Sequence, residues 1–138
     1  MLNQAIAQIG LVFALSGGLS ACAAVQGTQN VSKTDFHPQY LRIETDLLDR
    51  DLVDFKVVMR GARTKADVAD YAKCAAAQYA LIRGYGFARH VRTTVTEKDG
   101  LWRGDAVYTV SAALPAGRLT LDAEVVVENC KSDGIPTV

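Results

Sequence analysis

The chain predicts an α+β domain, one main helix packed on a mostly antiparallel sheet of about five strands in the order ββαβββ. Three observations carry this expectation. Two runs of alternating apolar and polar residues precede one segment whose apolar residues recur every three or four positions. Three more alternating runs follow it, and Gly, Asp and Pro fall between the runs where turns need them. The 138 residues are 49% hydrophobic and 22% charged, a composition suited to one small folded domain.

In the first run, from Tyr40, Leu41, Ile43 and Thr45 alternate with Arg42 and Glu44, and Asp49, Arg50 and Asp51 punctuate. In the second, Phe55, Val57 and Met59 alternate up to Gly61, so the two predict a hairpin. Thr64 with Asp67 has the form of a capping box ahead of Val68, Tyr71, Ala72, Ala75, Tyr79 and Ile82. Arg83 and Gly84 stand where that helix should stop. The third strand carries Phe87, Val91 and Val95 up to a turn at Lys98, Asp99 and Gly100. The fourth carries Trp102, Ala106, Tyr108, Val110, Ala112 and Leu114, ending at Pro115 to Gly117. The fifth carries Leu119, Leu121, Ala123, Val125 and Val127. One apolar face results, which the helix can cover, and one polar face is left to water. The domain is thus expected over residues 40–130, with a loose tail over 131–138.

The N-terminal segment has a different character. From Ala5 to Ala24 no residue is charged, and a short apolar run ends at Gly17 and Gly18. Leu19, Ser20, Ala21 and Cys22 follow, and this order resembles the bacterial lipobox. The resemblance implies a cleaved signal peptide over residues 1–21, a lipid-modified Cys22, and a flexible tether over 22–39. It also implies membrane attachment through acyl chains, two or three of which anchor stably where one does not. The n-region Met1–Gln4 carries no Lys or Arg, a departure from the pattern. The competing reading is a transmembrane helix, for which the run is shorter than the roughly 20 residues a bilayer needs. Ala23 rather than Asp follows the cysteine, which resembles outer-membrane lipoproteins facing the periplasm.

With Cys22 assigned to lipid, Cys74 and Cys130 remain as an even pair, and an oxidising compartment favours a disulfide over two separate thiols. Closing that loop of about 56 residues stabilises by roughly 4 kcal/mol in the chain-entropy model. Strict alternation sets Cys130 on the face opposite Val125 and Val127, and a strand that ends or bulges near Glu128 would reconcile them.

The functional motifs are sparse. Fifteen basic and fifteen acidic residues cancel, so no global field draws in nucleic acid. Cys74, Cys130, His37 and His90 lack the spacing of a metal site. Arg83–Phe87 matches the first five positions of an RNA-binding RNP1 strand, but Ala88 and His90 then break the match, and two glycines at a helix stop explain it. Asp46, Asp49, Asp51 and Asp54 gather near the first turn, and Asp122, Glu124 and Glu128 share one parity, as a wet strand face would. Arg89, His90 and Arg92 form a basic run that reads either as a solvated strand or as a site for a carboxylate or phosphate. No nucleophile, metal or cofactor motif is present, so no catalytic residue and no cofactor is expected.

From Val57 to Arg92 a strand ends at Gly61, a helix opens at Thr64 carrying Asp70, Tyr71, Ala75 and Ala76, and Gly84 and Tyr85 lead into the next strand. Together with the lipobox, this looks like small alphaproteobacterial envelope lipoproteins of uncharacterised function. The resemblance implies an address and a fold type, with no activity attached. The function expected is a non-enzymatic interaction or structural module contacting another envelope protein or the cell wall. The alternative is a small-anion binder on Arg89, His90 and Arg92, and a hydrolase ranks last.

Overall fold

The computed structural model describes residues 36–138. The leader, Cys22 and most of the tether lie outside the described residues. The elements are β1 (Gln39–Leu47), β2 (Leu52–Arg60), α1 (Lys65–Ile82), β3 (Phe87–Lys98), β4 (Leu101–Ser111), β5 (Thr120–Asp122) and α2 (Ala123–Ser132). The five strands form one antiparallel sheet in the order β1-β2-β4-β3-β5. The α+β expectation therefore holds, with a second helix added at the end.

One face of the sheet carries Val53, Phe55, Val57 and Met59 from β2 and Ala106, Tyr108 and Val110 from β4, all buried. Helix α1 lies over β2, β4 and β3 and buries Val68, Tyr71, Ala72, Ala75, Ala76 and Ala80. The alanines let the helix approach closely, and Gly104 of β4 marks the tightest point. A Cβ there would stand 2.8 Å from Val68 Cγ1 and 2.9 Å from Val57 Cγ2. Phe55 meets Tyr79 and Tyr108 edge-on, at 5.6 and 6.1 Å between ring centroids.

Local chemistry sets the ends of α1. Thr64 Oγ1 accepts from Ala66 N at 3.2 Å, and the Asp67 carboxylate reaches back to accept from Arg63 N at 2.7 Å. At the other end Gly84 takes φ +78°, Tyr85 N donates to Ala80 O, and Gly84 N donates to Leu81 O. That is a Schellman stop, which needs a left-handed residue where Gly84 stands. Helix α2 ends the same way: Gly134 at φ +69°, Ile135 N donating to Cys130 O and Gly134 N to Lys131 O. The segment expected to be a loose tail is therefore structured at least to Ile135, whose side chain packs against the core.

Three sequence expectations are corrected. The fifth strand, expected over 119–127, stops at Asp122. The Asp122 side chain accepts from Val125 N at 3.2 Å, Glu124 sits in the first turn, and Ala123, Val126, Val127 and Cys130 turn inward at helical spacing. Asp122, Glu124 and Glu128 thus belong to a helix start and helix surface. The fourth strand ends at Ser111, leaving Leu114 70% exposed in the following loop. In β3 a bulge lies between His90 and Arg92, so Ala88 and His90 face α1 before it and Thr93 and Val95 after it. Val91, expected in the apolar row, is 52% exposed.

Candidate functional site

The cysteine pair is bonded: Cys74 on α1 and Cys130 on α2 join with their Cα atoms 5.9 Å apart. Because Cys130 rides on a helix, the face conflict inherent in a fifth strand disappears. Both residues are buried, so the bond ties the C-terminal helix to the main one from inside. Cys22 lies outside the described residues.

The basic run is divided by the sheet. His90 faces α1, with its ring 5.2 Å from that of Tyr108 and its Nε2 2.7 Å from Thr93 Oγ1. Arg89 and Arg92 point to the opposite face, and the bulge at Val91 is what moves Arg92 off the side that His90 occupies. Arg92 donates to Asp105 at 2.6 Å, and the Arg89 guanidinium lies beside Gly117 in the loop after β4. The three side chains do not converge on one position. His37 precedes β1 on the chain, and no group of three or more metal-ligating residues exists among the described residues. Arg83–Phe87 forms the helix stop and the first residue of β3, so its two aromatics do not share a strand face.

What the structure does assemble is a charged lattice on the face of the sheet away from α1. Arg42, Glu44 and Asp46 of β1 lie beside Asp54 and Lys56 of β2, then Arg103 and Asp105 of β4, with Thr94 and Thr96 of β3 beyond. Lys56 bridges strands, donating to Asp46 at 2.6 Å and lying 3.6 Å from Asp54. The hydrogen bond to Asp46 holds the Lys56 ammonium above its ordinary range. Arg42 pairs with Glu44 on its own strand at 3.4 Å. A shallow hollow of about 230 Å³ opens over Val58 in the middle of this lattice.

Asp54 is the unusual member. It is 5% exposed, and its Oδ1 has no hydrogen-bond partner. Burial pushes its carboxyl above the usual range, and the Asp105 carboxylate beside it adds to the effect. Alternation in the sequence marks Asp54 as a solvated strand residue. No local signal reveals that neighbouring strands cover it.

A second hollow, of about 440 Å³, lies where the start of β1 meets α1 and the end of α2, lined by Phe36, Tyr40, Arg63, Asp67, Asp70 and Asp133 among others. Its charges are already matched in part: Arg63 holds Asp67 at 2.7 Å and stacks over Phe36 at 3.8 Å, and Lys73 holds Asp70 at 2.6 Å. The Arg63 hydrogen bond draws the Asp67 carboxyl below its ordinary value. Burial, with Asp67 and Asp70 nearby, pushes the Tyr40 hydroxyl up.

Comparison with known proteins gives a family and an uncharacterized relative. A protein of Paracoccus denitrificans, an alphaproteobacterium, described as "Uncharacterized 26.9 kDa protein in nqo8 5'region", is 32% identical over 85 residues. The match covers 62% of this chain and 33% of that protein, so the chain corresponds to about a third of the relative's length. No solved structure matches. Residues 40–134, which include every strand and both helices apart from the first residue of β1, match the YNQ4 C-terminal domain. The chain belongs to the YNQ4 C-terminal domain family.

Proposed function

We propose that this domain is a non-enzymatic interaction module, held in the cell envelope by acyl chains on Cys22 and facing the periplasm from the outer membrane. The observation that carries the reading is the arrangement of the cysteines. Cys74 and Cys130 are bonded to each other, as cysteines are in oxidising compartments, and the third cysteine ends the Leu19-Ser20-Ala21-Cys22 run. Ala23 after the cysteine supports the outer-membrane address. The sheet face away from α1 supports the binding role: Lys56–Asp46 and Arg92–Asp105 pair across strands and Arg42–Glu44 along one, leaving a polar surface suited to another protein or to the wall.

Two measurements test this. In cells fed a labelled fatty acid, the wild-type chain should take up label and run as a processed form in the membrane fraction, whereas Cys22→Ala should remain unlabelled and unprocessed. Identical processing and membrane retention in both would end the anchoring reading. Crosslinking in intact envelopes followed by purification should recover a stoichiometric protein or wall adduct, and repeated recovery of an uncrosslinked monomer would end the module reading.

A further inference from the structure

We infer that Asp54 of β2 and Asp105 of β4 hold one proton between them, and that release of this proton draws Lys56 from Asp46 to Asp54, baring a carboxylate on the polar face of the sheet. The device sits on the face proposed for binding, but its chemistry does not depend on that reading. Five charged groups make it up. Asp46, Asp54, Val107 and Arg92 stand in one row across the strands, and in the next row Lys56 and Asp105 are direct partners. Three carboxylates therefore share two cations. Of the other charges on this face, Arg42 and Glu44 pair with each other at 3.4 Å, and Arg89 lies beside Gly117. Arg103 is roughly 13 Å along β4 from Val107, the residue opposite Asp54.

The positive charge that balances the group has to be small. Asp54 is 5% exposed, and its Oδ1 is sealed by the described residues without a hydrogen-bond partner among them. No room is left at that atom for a metal ion or an amine, and a proton needs none. Asp105 stands diagonally across the β2–β4 ladder, within hydrogen-bonding reach of Asp54. Two carboxylates this close resist ionising together, and a proton between them puts a hydrogen bond in place of a repulsion. Burial and the Asp105 charge hold the Asp54 carboxyl above the ordinary range, against the opposing pull of Lys56 and Arg92.

Lys56 stands between two acceptors. Its Nζ is 2.6 Å from Asp46 Oδ2 and 3.6 Å from Asp54 Oδ2, which is the arrangement a protonated Asp54 permits. Once the proton leaves, a carboxylate shielded from water attracts the ammonium more strongly than Asp46 does, because the Asp46 side chain is 54% exposed and screened. Arg92 does not meet the same demand, since Asp105 already holds it at 2.6 Å. Closing the gap to Asp54 takes only a rotation at the end of a flexible side chain. Acid thus keeps Asp46 paired, and a rise in pH frees it.

Full-length chain labelled with carbon-13 at the aspartate carboxyls, titrated by NMR in detergent micelles, should show Asp54 and Asp105 sharing two steps. Asp54 should report the upper one above the ordinary carboxyl range. The Asp46 resonance should show an inflection at that upper step, as Lys56 leaves it. Asp54→Asn should abolish the upper step together with the Asp46 inflection. Lys56→Gln should keep the upper step, moved further up, and lose the inflection, which separates transfer of the ammonium from a field felt through space. A single ordinary step at Asp54 would overturn the shared proton. An Asp46 inflection that is absent from the wild type, or that survives Lys56→Gln, would overturn the exchange.

Discussion

Replacing Gly104 with Ala probes how closely α1 and the sheet approach. The added methyl carbon would lie 2.8 Å from Val68 Cγ1 and 2.9 Å from Val57 Cγ2, where ordinary carbon contacts are about 3.5–4.0 Å. Both obstacles are β-branched side chains that are fully buried and stiff at χ1, so neither can swing away. Relief has to come from shifting the helix, at a cost typical of overpacking, about 1–3 kcal/mol. The gain from stiffening the unfolded chain, about 0.4–1 kcal/mol, offsets part of it. The expected net loss is about 1–2 kcal/mol, a fall of roughly 5–10 °C in Tm for a domain near 100 residues. Thermal melts by circular dichroism measure it. Val68→Ala alone should cost about 2–3 kcal/mol through lost burial and a cavity. Combined with Gly104→Ala it should cost less than the sum by about 1 kcal/mol, because it removes one of the two obstacles. A neutral Gly104→Ala, or strict additivity in the pair, would refute the close approach.

Three further outcomes follow from the same geometry. Replacing both Cys74 and Cys130 with Ala should lower stability by about 4 kcal/mol from loop entropy, read as a drop in the urea midpoint; a loss below about 1 kcal/mol would show that α2 is held by packing alone. Asp54→Asn should stabilise the domain at pH 7 by about 1 kcal/mol, since an amide can donate to Asp105 where a second carboxylate cannot. The sign comes from its raised folded pKa: the wild-type group is best tolerated when protonated and loses that advantage as pH rises through the folded value, so the variant's gain should shrink in melts at pH 4. Asp67→Asn should do the reverse, costing about 1–2 kcal/mol at pH 7 by breaking the contacts with Arg63. Its depressed folded pKa places that stability above the unfolded carboxyl value and removes it as pH falls through the folded one, so the deficit should close in acid. An Asp67 deficit that grows below pH 4 would contradict the assignment.

The parts of this fold that were legible in the sequence are those set by neighbouring residues. Thr64, Asp67, the periodic alanines and Gly84 define α1 within about twenty positions, and the Asp99–Gly100 turn takes positive φ at both residues, as a two-residue hairpin requires. The disulfide was legible because assigning one of three cysteines to lipid leaves a pair. α2 was hidden because Leu121, Ala123, Val125 and Val127 satisfy a period of two while Ala123, Val126, Val127 and Cys130 satisfy a helix. Asp122 decided between them as a cap, a role that depends on where β5 stops. The bulges at Leu41 and Val91 are set by register against adjacent strands and leave no local mark. The separation of Arg89 from His90 was available in principle, since neighbours on a strand point apart. The placement of Arg92 with Arg89 was not, because it depends on the bulge.

The strand order has a consequence for how the chain assembles. After β2 the backbone crosses through α1 and returns as β3 parallel to β2 but one position removed, leaving a slot about 10 Å wide that β4 fills from both sides. A chain emerging N-terminus first therefore has the β1–β2 hairpin, α1 and β3 available with no ladder joining β3 to the hairpin. The β3–β4 hairpin can close within microseconds, yet its docking against β2 joins residues some 50 positions apart and is the event that makes the sheet continuous. A nascent segment ending before Leu101 holds two separate flaps under one helix, and both borders of the slot stay open to other strands until β4 arrives.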